Sequence, residues 1–166
     1  MPRAYVASPY GFSAATRAFY DDVVLPALRA AGVEPLDPWA DPGGAVAAAF
    51  AAAAELPPGD ARTARFAAIN ARLGAANADS IRAADGVLAI LDGVDVDSGT
   101  AAEIGFAAAL GKPVVGLRLD TRRTGDNEGA RVNLQVEHFI RAGGGAVCGA
   151  LDDAVARLAE ALGGAP

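Results

Sequence analysis

Gly86-Val87-Leu88-Ala89-Ile90-Leu91 is an unbroken apolar run, preceded by Ala84-Asp85 and followed by the polar stretch Asp92-Gly93-Val94-Asp95-Val96-Asp97-Ser98. It does not alternate, so both of its faces need cover, which is the pattern of a central strand in a parallel sheet. Outward from it, β-rich runs at Arg3–Ser8, Val33–Leu36, Pro113–Leu117 and Ala146-Val147 alternate with helical stretches. The helices are expected over Ser13–Ala31, in two alanine-rich segments broken at Pro57-Pro58-Gly59, over Gly99–Leu110, near Asn133–Arg141 and over Leu151–Leu162. Within the first of them Phe19, Val23 and Leu28 carry the apolar face. Ser13 is placed to cap that helix, and Gly32 and Gly111 stand where helix ends favour a residue tolerant of positive φ. Strands alternating with helices predict an α/β fold: one doubly wound domain over residues 1–166, about five parallel strands, in the flavodoxin-like order 2-1-3-4-5. In such sheets a ligand lies beyond the carboxyl ends of the strands. The loops after the first strand (Pro9–Ser13) and after the third (Asp92–Ser98) should therefore meet at a site.

Composition narrows the chemistry. The chain has 166 residues, a net charge of −6, and a single lysine, Lys112, among 14 basic residues. Without a basic cluster it has no face for sequence-independent binding to nucleic acid. One cysteine, Cys148, and one histidine, His138, exclude a disulfide framework, a Cys-based zinc site and a multi-histidine centre. Cys148 reads as a small buried hydrophobe and His138 as a structural histidine on a helix. The N-terminus lacks the apolar core of a signal peptide. The longest apolar run, Ala45–Ala54, is far short of the roughly 20 residues a spanning helix needs. A cytoplasmic protein with no membrane contact, no metal and no cofactor is expected, whose chemistry is done mostly by carboxylates.

Those carboxylates concentrate in Asp92, Asp95, Asp97 and Glu103, directly after the central strand and into the next helix. A helix N-terminus presents free N–H groups and a partial positive charge, so a carboxylate there should be held ionised, as a nucleophile or general base requires. Gly99 leaves room for a ligand to approach, and Gly105 would let the helix pack closely. A structural reading competes: Thr100-x-x-Glu103 has the spacing of a capping box, and the aspartates could form a solvated or calcium-like cluster. Position at the expected switch point favours function. Arg122–Gly129 is polar and glycine-bearing but lacks phosphate-loop spacing, and reads as a surface or lid loop.

Asp97-Ser-Gly-Thr-Ala-Ala-Glu103-Ile-Gly-Phe-Ala, followed by Ala109-Leu-Gly-Lys-Pro-Val, resembles the signature of the nucleoside 2-deoxyribosyltransferase family. Ser8-Pro9-Tyr10-Gly11-Phe12-Ser13, Asp37-Pro38-Trp39, Ala84-Asp85 and Val132-Asn133-Leu134-Gln135 agree with it in order along most of the chain. Gly-Thr-x-x-Glu also occurs in lysine-decarboxylase-like phosphoribohydrolases, which carry a Pro-Gly-Gly directly ahead of it; here Asp97-Ser98 stands directly ahead of Gly99. The resemblance implies that Glu103 is the nucleophile, attacking the anomeric carbon of a 2-deoxyribonucleoside and expelling the base. A free nucleobase then captures the deoxyribosyl ester, and two displacements retain configuration. It implies that Tyr5 orients the nucleophile, and that Asp97 and Asn133 hold the sugar 5′-hydroxyl, with Asn133 reaching in from a neighbouring subunit of a homo-oligomer. Gln135 would line the sugar and Phe12 would pack near the base. Related monophosphate glycosidases have Ser where this chain has Asp97; a carboxylate there repels a 5′-phosphate, so the free nucleoside is the expected substrate.

The family's aspartate acting on the leaving base falls, by spacing, on Asn77, which cannot deliver a proton. Asp79, Asp92 or water would take that part. The chain also ends Gly163-Gly164-Ala165-Pro166, without the aromatic C-terminus that closes the site in relatives. The activity expected is transfer of 2-deoxyribose between nucleobases. The alternatives are hydrolysis of a deoxyribonucleoside or its 5′-monophosphate at the same site, and a nucleotide-sensing module without turnover.

Overall fold

The computed structural model describes residues 1–163; Gly164, Ala165 and Pro166, to which the comparison of C-termini refers, lie outside the described residues. Five parallel strands form one sheet in the order β2-β1-β3-β4-β5, the order expected. They are β1 (Arg3–Ala7), β2 (Glu34–Leu36), β3 (Gly86–Ile90), β4 (Val114–Leu117) and β5 (Val147–Cys148). Tyr5 pairs with Leu36 on one side and Val87 on the other, so β1 and β3 occupy the middle of the sheet. Pro35 is tolerated in β2 because that strand is an edge, where a missing N–H breaks no inner ladder.

Side chains of successive strand residues point to opposite faces, and this divides the core in two. Ala4, Val6, Leu88, Ile90, Val115 and Leu117 face α1 (Ala14–Phe19), α2 (Leu25–Ala30) and α7 (Leu151–Ala161). Tyr5, Ala7, Val87, Ala89, Leu91 and Val114 face α4 (Asp60–Ala83), α5 (Ser98–Ala109) and α6 (Leu134–Ala142). All five β3 residues are buried, as the non-alternating run required. Complete burial stabilises each large aliphatic side chain by about 1.5–3 kcal/mol. Tyr5, being odd-numbered in β1, is thereby committed to the α4–α5 face.

The first helical stretch departs from the regular helix expected. α1 and α2 join through a π-helical turn, Tyr20–Val24, in which the Leu25 N–H donates to the Tyr20 carbonyl. Pro26 starts the next segment without an N–H, and a wide turn accommodates the missing bond. The extra residue rotates the face: Tyr20, Val24, Leu25 and Leu28 are buried, whereas Val23 is 41% exposed. Ser13 stands at the N-cap but makes no side-chain cap; instead the Thr16 hydroxyl donates to the Tyr10 carbonyl at 2.8 Å. Gly32 and Gly111 do adopt positive φ, at 76° and 70°. A Cβ on Gly105 would meet Phe139 at 3.5 Å, an ordinary contact, so close packing of α5 on α6 does not require glycine there.

The crossover from β2 to β3 is α3 (Ala45–Ala54) followed by α4. α4 runs to Ala83 and carries Asn70, Leu73 and Asn77 along one edge of a cavity. No helix among the described residues is long and apolar enough to cross a membrane.

Candidate active site

A cavity of about 470 Å³ opens beyond the carboxyl ends of β1 and β2, between their loops, α3, α4 and the start of α5. Ser8, Phe12, Trp39, Asp41, Asn77 and Glu103 are on its wall, with Asp97, Gly99, Asn70, Leu73 and Phe50. Its size is within the range of sites for small organic ligands.

Glu103 projects from the second turn of α5. The Tyr5 hydroxyl donates to its Oε1 at 2.7 Å, and the Asn77 Nδ2 lies 3.4 Å from the same oxygen. Burial, and secondarily the nearby Asp97 charge, hold the Glu103 carboxyl above its ordinary pKa, while the bonds from Tyr5 and Asn77 oppose the rise. Contrary to expectation, the helix N-terminus therefore does not set the direction of the Glu103 shift. Asp97 is the N-cap residue, so Glu103 lies a turn beyond the free N–H groups, and desolvation acts the other way. The Tyr5 phenol is fully buried and its pKa is raised, first by burial and then by Glu103, so it remains a proton donor to the carboxylate.

The capping box that was the competing reading of Thr100-x-x-Glu103 does not form. Asp97 Oδ2 accepts from the Thr100 amide at 2.9 Å and from its hydroxyl at 3.3 Å, which starts the helix three residues earlier and frees Glu103 to face the cavity. Asp97 is thus both cap and cavity wall. A Cβ on Gly99 would come 3.1 Å from Asp97 Oδ2, so glycine leaves that carboxylate uncrowded.

Trp39 forms an aromatic wall held at several points. Its amide donates to Asp37 Oδ1 at 2.8 Å and its indole N–H to the Ser8 carbonyl at 3.0 Å. Asp37 is itself held by the Tyr20 hydroxyl at 2.7 Å. Phe12 packs on Trp39, ring centroids 4.6 Å apart and nearly perpendicular, and is 75% exposed at the rim. Gly11 lies under the indole, where a Cβ would fall 2.0 Å from Trp39 Cδ2.

Several expected site residues lie elsewhere. Asp92 accepts from the Leu119 amide at 2.6 Å, the Asp120 amide at 2.9 Å and the Tyr10 hydroxyl, and so ties the loop after β3 to the loop after β4. It is not on the cavity wall, because those three donors consume its carboxylate. Asp79, two residues past Asn77, is turned away by the helical repeat and pairs with Arg82 at 2.7 Å in the open. Asp95 binds the Val96 amide within its own exposed loop. Asn133 caps α6, accepting from the Gln135 amide at 3.0 Å; both residues are exposed and neither lines the cavity of its own chain.

The remaining candidates are structural. The Arg122–Gly129 loop is held by the Arg123 guanidinium donating to the Glu128 carbonyl at 3.0 Å and is tied to the start of α6 by the Leu134 amide donating to Asp126 at 2.7 Å. His138 is exposed on α6, its ring 5.9 Å from that of Phe139. Cys148 is buried, and burial with the Asp153 carboxylate pushes its thiol up to about 11. No group of His, Cys, Asp and Glu among the described residues is arranged to hold a metal ion.

Trp39, Asp41, Asn70, Phe50 and Leu73 enter the site without having been singled out for it. The signal was present for α4, where Asn70, Leu73 and Asn77 follow one another at three- and four-residue steps on one helical face. Asp41 precedes α3 and accepts from the Val46 and Ala47 amides, a helix-start pattern that the glycines between them obscured.

A model of the nucleoside 2-deoxyribosyltransferase family matches residues 4–135. Among solved structures, a 2-desoxiribosyltransferase from Leishmania mexicana is 25% identical with a TM-score of 0.65, over 96% of this chain and 98% of that one. A conserved protein from Enterococcus faecalis V583 shares the fold at 24% identity and a TM-score of 0.66, with the same coverage of both chains. So does a CMP N-glycosidase from Clostridium botulinum, at 18% identity and a TM-score of 0.53, over 94% of this chain and 96% of that one. No curated protein matches the sequence significantly.

Proposed function

This chain belongs to the nucleoside 2-deoxyribosyltransferase family, and from that premise we propose that it transfers 2-deoxyribose between nucleobases through a covalent ester on Glu103. The observation that carries the reading is the Tyr5–Glu103 hydrogen bond at the wall of the cavity. An oriented, ionised carboxylate beside a sugar's anomeric carbon is what a retaining displacement needs. Glu103 attacks C1′, the base leaves, and a second base attacks the ester from the same face, so configuration is retained. Tyr5 fixes the direction of attack and steadies the carboxylate as it is released. Trp39 and Phe12 offer an aromatic surface for a base. Asp97 is positioned as an acceptor for a sugar hydroxyl and as a repellent to a 5′-phosphate. Asn133 and Gln135, exposed on α6, are proposed to complete the sugar site of a neighbouring copy in a homo-oligomer, in the cytoplasm.

Hydrolysis through the same ester is the second reading. Asn70 and Gly99 are exposed at the cavity wall, so water reaches the site of a single subunit. Incubation with deoxyinosine, with and without adenine, separates the two. Deoxyadenosine formed when adenine is supplied is the expected result; hypoxanthine released at an equal rate without an acceptor would replace transfer by hydrolysis. Saturable binding without turnover would leave a sensing module.

A further inference from the structure

The ionisable groups on the cavity wall are all committed. Asp41 accepts from the Val46 amide at 3.0 Å and the Ala47 amide at 2.9 Å, which keeps it ionised. Asp97 caps α5, Tyr5 donates to Glu103, and Glu103 is the attacking group. The two acids that the sequence offered in place of that proton donor are excluded by position: Asp79 pairs with Arg82 in solvent, and Asp92 is enclosed by three donors away from the cavity. The polar side chains that α4 presents to the cavity are two carboxamides, Asn77 and Asn70. Asn77 Nδ2 is 3.4 Å from the Glu103 carboxylate and hence at the reacting end; Asn70 is seven residues, about 10 Å, further along the helix. An amide N–H donates a hydrogen bond but does not give up its proton at neutral pH.

Resting on the proposed glycosyl transfer, we propose that this chain breaks the glycosidic bond without a side-chain acid, the base departing as an anion that accepts a hydrogen bond from Asn77. The Glu103 oxygen forms a bond to C1′, the C1′–N bond breaks, and its electron pair goes to the base nitrogen. No proton leaves the protein; the base anion takes one from water. In the second half the acceptor base gives its N–H proton to water and its electron pair to C1′, and Glu103 leaves as a carboxylate. Asn70 is placed to hold the far edge of the same base.

A general acid contributes about 10²–10⁴-fold, so its absence makes the rate depend on how readily the base accepts negative charge. Single-turnover cleavage is measured for 5-fluorodeoxyuridine, deoxyuridine and thymidine, which share a ring and differ in N–H acidity, and for deoxyinosine against deoxyadenosine. Within whichever ring class is accepted, the more acidic base should leave faster by about tenfold or more. Asn77→Asp supplies a carboxyl beside Glu103, where two like charges favour sharing a proton. It should accelerate the most basic leaving group most and flatten the series. Equal rates across the wild-type series, or a slope unchanged in Asn77→Asp, would overturn the inference while leaving the transferase reading intact. Cleavage of none of the five would overturn both.

Discussion

The Tyr5 hydroxyl donates a 2.7 Å hydrogen bond to the Glu103 carboxylate, joining the central strand β1 to α5 across 98 residues of sequence. That bond lowers the carboxyl's pKa against a larger upward push from burial. Tyr5→Phe removes the opposing effect, so Glu103 will ionise only at higher pH. The acid limb of the pH profile of kcat/KM should therefore move to higher pH, and the looser carboxylate should lower kcat by about 10²-fold. A pH profile with an unmoved acid limb would separate Tyr5 from the ionisation of Glu103.

Glu103→Gln keeps an oxygen acceptor for Tyr5 and removes the charge. Turnover should be lost. The folded-state pKa of Glu103 is raised, so the folded protein binds its proton more readily than the unfolded chain, and wild-type stability falls as pH rises through that pKa. The variant should melt at the same or a higher temperature than wild type at neutral pH. The gap should close as pH drops below the ordinary glutamate range. Melting curves at several pH values check this, and a destabilised Gln variant at neutral pH would contradict it.

How far the fold could be read from residues depends on how local the determinant is. The apolar run Gly86–Leu91 and the glycine-ended helices carry their own signals, and sheet order and element sequence followed from them. The π turn at Tyr20–Val24 did not, because it arises from Pro26 meeting a packed helix and leaves the surrounding apolar spacing plausible either way. In the site, Glu103, Asp97, Gly99 and Asn77 stood out by motif and face one cavity. Asp92 stood out equally and is elsewhere, since its three donors come from Tyr10 and from residues 119 and 120. Trp39 belongs to a quoted motif and Asn70 shares a helical face with Asn77, but that both reach the cavity follows from the placement of the loop after β2 and from the length of α4.

Asp92→Ala should show up in stability before chemistry. It strands the Leu119 and Asp120 amides and the Tyr10 hydroxyl at the junction of two loops. Leaving a buried donor unsatisfied costs about 1–3 kcal/mol. Denaturant unfolding should register a loss of that size, with the KM for a deoxynucleoside little changed. A large rise in KM without destabilisation would return Asp92 to the binding site.

Gly11→Ala tests the aromatic wall. The added Cβ falls 2.0 Å from the Trp39 ring, and Trp39 is anchored by its amide to Asp37 and by its indole N–H to the Ser8 carbonyl, so the ring cannot yield like the tip of a flexible chain. Overpacking of this kind costs about 1–3 kcal/mol. Trp39 is the only tryptophan, so its fluorescence reports the displacement directly. A red-shifted emission together with weakened nucleoside binding is expected; an unchanged spectrum and affinity would show that the indole is not held as a wall.

Asp97 combines two roles that different substitutions separate. Its carboxylate caps α5 through the Thr100 amide and also borders the cavity. Asp97→Ser keeps a good N-cap oxygen, whereas Asp97→Ala removes it, and loss of a cap costs about 1 kcal/mol. Thermal unfolding should leave the Ser variant near wild type and lower the Ala variant. Both remove a negative charge that disfavours a 5′-phosphate, a repulsion that weakens with salt. Binding of a deoxynucleoside 5′-monophosphate should therefore tighten in both variants relative to the free nucleoside, most clearly at low ionic strength, and further in Ser, which can donate to a phosphate oxygen. If wild type already prefers the monophosphate, or if neither variant gains affinity for it, Asp97 does not select against phosphate, and its part in the site reduces to capping α5.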